Sequence, residues 1–130
     1  MIAKAKKELP RYTGKREDYR LWAFKAEAYL TELKLWTIVN GKRDHEALSD
    51  DEATRDNYIE RNGELFNAII GMVDHTLETG ASFLTSIMND FNSIETGTNR
   101  DGKQLWQWIK ERGYHRRTRT PPARSTPTRP

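Results

Sequence analysis

Tyr19-Arg20-Leu21-Trp22-Ala23-Phe24-Lys25-Ala26-Glu27-Ala28-Tyr29-Leu30-Thr31-Glu32-Leu33-Lys34-Leu35-Trp36 is the stretch that decides the fold class. Tyr19, Trp22, Ala26, Tyr29, Leu30, Leu33 and Trp36 recur at three- and four-residue steps, and Arg20, Lys25, Glu27, Glu32 and Lys34 fill the gaps. Residues so spaced share one face of an α-helix, so the pattern predicts an amphipathic helix from about Asp18 to Leu35, stopped by Asn40-Gly41. Trp22, Tyr29 and Trp36 on one face also suit a base-stacking platform. The apolar area of these rings favours core packing instead.

The same period recurs downstream. Ser49-Asp50-Asp51-Glu52 reads as a capping box, with Ser49 accepting from an unpaired first-turn amide and Glu52 reaching back. It opens a helix running to about Val73, with Tyr58, Leu65, Phe66, Ile69, Ile70 and Val73 as its buried stripe. Glu78-Thr79-Gly80 reads as a break. Phe83, Leu84, Ile87, Met88, Phe91 and Ile94 then predict a third helix from about Ala81 to Ile94. Thr96-Gly97-Thr98-Asn99 reads as a loop. Asp101-Gly102-Lys103-Gln104 caps a fourth helix, carrying Leu105, Trp106 and Ile109 and ending at Gly113. No stretch alternates in the manner of a strand. The expectation is an all-α bundle of about four helices over residues 17–113, joined by short connections such as residues 41–48.

Both ends differ from this middle. Residues 1–16 carry six Lys/Arg against one Glu and contain Pro10 and Gly14, which argue against regular helix; they read as a basic lead-in. Residues 114–130 carry five Arg, no acid and four Pro, with almost no apolar mass, so they are expected to be disordered. Residues 17–113 are acidic, with eleven Lys/Arg against eighteen Asp/Glu, and the net charge of +3 therefore originates at the termini. Arg116, Arg117, Arg119, Arg124 and Arg129 are the candidate nucleic-acid contacts, able to neutralise phosphates without reading sequence.

Composition narrows the chemistry. The chain has 130 residues, enough for one modest core. It has no cysteine, which excludes disulfides, thiolate metal sites and cysteine nucleophiles. His45, His75 and His115 have no helical i, i+4 partner, and no glycine-rich phosphate loop or nucleophile elbow is present. Glu78-Thr79-Gly80 and Glu95-Thr96-Gly97 lack the acid and the strands of an aspartic protease. No enzyme, cofactor, metal or small-molecule substrate is expected. With no signal-like h-region and no apolar run of about 20 residues, the expectation is a soluble cytoplasmic protein with no membrane partner.

Tyr12-Thr13-Gly14, Tyr19 and Trp22 resemble the F-x-G-x-x-y-x-x-W opening of Gag proteins from copia-type LTR retrotransposons. Leu33-Lys34-Leu35-Trp36-Thr37-Ile38-Val39-Asn40-Gly41 is similar to that family's L-x-L-W-x-x-V-x-G segment. Gly102-Lys103-Gln104-Leu105-Trp106-Gln107-Trp108-Ile109 resembles its final Leu-Trp helix. The resemblance spans residues 9–113. It implies a capsid-like helical domain that self-associates around RNA, with Trp22, Leu33, Trp36, Gly41, Leu105 and Trp106 as core and motif positions. Family members carry a Cys-Cys-His-Cys zinc knuckle, for which this chain has no thiol ligands; the Arg-rich tail is the candidate RNA contact in its place. The alternative is a monomeric, host-adopted or decayed Gag-derived module that binds nucleic acid or protein.

Overall fold

The computed structural model describes residues 9–93, 97–98 and 100–112. The expected disordered tail, Gly113 and His115 lie outside the described residues, as do Ile94 and the first eight residues of the lead-in. Within them the chain is all-α. Four helices exceed two turns: α1 (Tyr19–Glu32), α4 (Glu52–Met72), α5 (Glu78–Phe91) and α6 (Gly102–Lys110). Two single turns, α2 (Trp36–Val39) and α3 (Asp44–Ala47), connect α1 to α4.

The first predicted helix is two elements. The chain breaks after Glu32 because Lys34 takes a left-handed φ of 63°. The Leu35 amide donates to the Leu30 carbonyl at 2.9 Å and the Lys34 amide to the Thr31 carbonyl at 3.0 Å, a Schellman closure. Leu30 and Leu35, the apolar pair such a closure brings together, are both buried. Arg61 donates to the Leu33 carbonyl at 3.0 Å, satisfying another orphan of the helix end.

Three boundaries are likewise corrected. The N-cap of α4 is Asp51, whose carboxylate accepts from the Thr54 amide at 3.3 Å and from its hydroxyl at 2.6 Å. Those bonds hold the Asp51 carboxyl below the usual carboxylate range. The Ser49 hydroxyl accepts the Asp51 amide at 3.0 Å in a turn ahead of the helix, and the Ser49 carbonyl accepts from Arg55 at 2.8 Å. α5 begins at Glu78, since the break falls earlier, in a turn where the Asp74 side chain accepts the Thr76 amide at 3.1 Å. Gly80 is a packing residue there, because a Cβ would sit 1.9 Å from the Asp74 carbonyl oxygen. α5 ends at Phe91, where Asn92 turns extended and Asn92–Ser93 (β1) pairs antiparallel with Gly97–Thr98 (β2), a minimal ladder in place of the expected loop. Met88, placed on the buried stripe by its spacing, is 65% exposed.

The lead-in is part of the fold from Leu9 onward. Tyr12 donates its amide to the Met72 carbonyl at 2.7 Å and accepts the Asp74 amide at 2.8 Å, pinning the segment to the end of α4. α6 docks on α4 through Gly102, where a Cβ would lie 2.5 Å from the Phe66 amide nitrogen. The side chains of Asp101 and Asn62 cap this helix together: Asp101 accepts the Gln104 amide at 3.0 Å and Asn62 the Lys103 amide at 2.9 Å. Asn62 also donates to Asp101 at 2.9 Å, so the capping groups themselves span the two helices.

The left-handed Lys34 gives a test of the break. An L-residue there costs roughly 1–2 kcal/mol, part of which glycine returns as unfolded-state entropy. Lys34→Gly is therefore expected to raise stability by about 0.5–1 kcal/mol in urea unfolding. Destabilisation would show that the helix does not end in this closure.

Candidate functional site

The residues that carry chemistry in this chain are aromatic, and the fold gathers them. Trp22 on α1 stacks on Trp106 of α6, with centroids 5.4 Å apart and planes 30° from parallel. Trp36 meets Trp106 edge-on at 5.3 Å. Tyr12 lies 4.9 Å from Trp22 and 5.1 Å from Phe83 of α5. From Phe83 the contacts continue through Trp108 and Phe91 to Phe66 on α4, at 5.4, 6.1 and 5.8 Å. One connected set of rings thus joins the N-terminal segment to α1, α2, α4, α5 and α6. Each such pair contributes about 0.5–1.5 kcal/mol beyond its buried area.

The six core and motif positions named from the sequence separate here. Trp22, Leu105 and Trp106 are buried, and Trp36 is half-buried. Gly41 takes a φ of 88° in the turn after α2. Leu33 is not a core residue: it is 40% exposed, because the reversal at Lys34 turns it outward and gives its place to Leu35. The Trp22 indole Nε1 is buried with no hydrogen-bond partner, a cost that the surrounding stack must offset.

Sequence reasoning passed over Asn62, and named Tyr12 and Trp108 only as parts of motifs without giving either a role. Trp108 donates its indole N–H to Asp90 at 2.7 Å, while Arg112 lies 3.7 Å over its ring and donates to the same carboxylate at 3.3 Å. The Trp-x-Trp spacing was the visible signal, since two indoles two residues apart face different sides of a helix and only one joins the Trp22 stack. The five candidate arginines Arg116, Arg117, Arg119, Arg124 and Arg129 lie outside the described residues.

A groove of about 690 Å³ runs along the outside of α1, between that helix and residues 9–13. Leu21, Phe24, Ala28 and Tyr29 are among the residues that line it. Leu21 is 63% and Phe24 75% exposed, so α1 bears apolar side chains on its outer face as well as on its core face. Among the described residues no three His, Asp or Glu side chains are grouped to hold a metal ion, and no helix is long and apolar enough to cross a membrane.

Comparison with protein-family models, with curated proteins and with solved structures finds no match to this chain.

Tyr12 supplies a pH test of the packing. Burial first, and then the nearby Tyr19, Asp18 and Glu17, push its hydroxyl from the usual 10.0 up to about 12. The folded state thus holds this proton more tightly than the unfolded chain. The stability so contributed is whole below pH 10 and lost as pH rises towards 12, roughly 2–3 kcal/mol in all. Tyr12→Phe cannot ionise there, so its unfolding midpoint should fall less steeply between pH 10 and 12 than that of the unsubstituted protein. Identical slopes would place the Tyr12 hydroxyl in water.

Proposed function

We propose that this chain is a Gag-like structural protein of the copia-retrotransposon type, which self-associates into capsid-like assemblies and contacts RNA through its basic termini. The observation that carries the reading is the convergence of Trp22, Trp36 and Trp106. They come from three separate motif segments of the resemblance and meet in one cluster, in which Trp106 touches both of the others. Large aromatic side chains meet in the single core of a small domain, and these three take the places that the resemblance gives to core anchors. Their packing gives these tryptophans a structural role, and leaves RNA contact to the charged ends of the chain.

The proposed division of labour is physical. An acidic middle repels nucleic acid, while Arg116, Arg117, Arg119, Arg124 and Arg129 release counterions from phosphate. RNA would concentrate the chains, and contacts between the helical domains would build the assembly.

Light-scattering mass across a concentration and salt series, with and without single-stranded RNA, tests the reading. Growth into dimers and larger species, enhanced by RNA at low salt, is expected. Deleting residues 114–130 should reduce the slope of log affinity against log salt by roughly three. A strict monomer whose RNA affinity survives the deletion would overturn the proposal; a strict monomer that loses affinity would leave the alternative, a Gag-derived binding module.

A further inference from the structure

Asparagine is followed by glycine at two places, Asn40-Gly41 and Asn62-Gly63, and the fold treats the two steps oppositely. A glycine has no Cβ to hinder its backbone nitrogen from swinging towards the preceding carboxamide carbon and attacking it. In a folded chain two things decide whether that attack proceeds. The backbone must be free to make the approach, and the side-chain oxygen that gathers charge must find a donor.

The first step meets both conditions. Asn40 is exposed and lies in the turn of residues 40–43 that joins α2 to α3. The Gly41 amide, the attacking group, sits at a long 3.4 Å from the Ile38 carbonyl, a weak hold beside an ordinary helical bond. Asn40 Oδ1 accepts the Lys42 amide at 3.0 Å. That N–H is aimed at the oxygen that turns negative when the carboxamide carbon is attacked, as an oxyanion donor is.

The second step meets neither. Asn62 and Gly63 lie near the middle of α4, where the Gly63 backbone is fixed in a helical turn. Asn62 Nδ2 donates to Asp101 at 2.9 Å and Oδ1 accepts the Lys103 amide at 2.9 Å, so the carboxamide is clamped in the cap of α6. Ring closure there would break a turn of α4 and that cap together.

We infer that Asn40 is a site of spontaneous deamidation, and that the fold protects Asn62 from the same reaction. The Gly41 nitrogen gives up its proton and bonds to Cγ of Asn40. The bond from Cγ to the side-chain nitrogen breaks, and that nitrogen leaves with the proton as ammonia, closing a succinimide ring. Water, the sole co-reactant, then opens the ring. Cleavage of the new Cγ–N bond gives aspartate; cleavage of the original backbone C–N bond gives isoaspartate, whose main chain runs through Cβ and Cγ. Either product sets a carboxylate one residue before Gly41, whose open face lies against Asp44 and Lys103. The ion pair of those two residues, at 2.8 Å, ties α3 to α6. Deamidation thus brings a further negative charge to the turn that presents Asp44, and isoaspartate also lengthens that turn by one backbone carbon.

Incubating the full chain at mildly alkaline pH tests this, with peptide mapping by mass and methyl transfer by a protein isoaspartyl methyltransferase as readouts. In the folded chain Asn40 should convert to aspartate and isoaspartate. It should lead Asn62 by about a hundredfold or more, since Asn62 reacts only through opening of α4. In denaturing urea the two should react at similar rates. Gly41→Asn keeps a residue that tolerates the left-handed φ of 88° but puts a Cβ beside the attacking nitrogen. It should slow Asn40 by about tenfold or more. An Asn40 that stays intact in the folded chain, or an Asn62 that converts as fast, would overturn the inference. Undiminished conversion in Gly41→Asn would overturn attack by the Gly41 nitrogen.

Discussion

The stack of Trp22 on Trp106 is the contact on which the other elements depend. It fixes α6 against α1, although more than seventy residues of sequence separate them, and α6 reaches that position only because Gly102 lets its first turn press on the backbone of α4. Tyr12 packs against Trp22 and Trp36 meets Trp106 edge-on, so the two indoles are flanked by the N-terminal segment and by α2. A lean chain can afford this arrangement because large rings bury much area per residue. Among the described residues no polar or charged side chain is buried, which leaves aromatic and aliphatic contacts to hold the centre.

The core's economy has a consequence for the surface. With α1 contributing Tyr19, Trp22, Ala26 and Leu30 to the centre, its opposite face still carries Leu21 and Phe24, which are exposed among the described residues. The proposed division follows from this placement. Under that proposal the indoles build the domain and RNA contact falls to the basic termini.

Much of the fold was legible because helical periodicity is local. The stripe of α4 and the Asp101 cap of α6 were read directly, the first from Tyr58, Leu65, Phe66 and Ile69, the second from an acid three residues ahead of the first-turn amide that it accepts. The end of α1 was not legible, since a left-handed Lys34 has no signature: glycine is the residue that announces such a turn. Leu33 and Leu35 exchanged roles for the same reason. Gly80 looked like a helix breaker but serves a close backbone approach that only the tertiary structure reveals. Tyr12 was hidden within a basic segment, and its pairing with Met72 and Asp74 depends on contacts sixty residues away. Of the candidate site residues, the tryptophans could be ranked by periodicity. The outer face of α1 was visible only as two apolar residues off the main stripe, a signal that gains meaning once the core is known.

The central claim is that the motif tryptophans are structural, and Trp106→Ala tests it most directly, with urea unfolding and RNA affinity measured on the same preparation. The account predicts a loss of about 3–5 kcal/mol, a large share of what a domain this size possesses, with any change in RNA binding following the unfolded fraction. A variant that unfolds at an unchanged urea concentration while losing RNA affinity would contradict it and make the aromatic cluster a base-stacking surface.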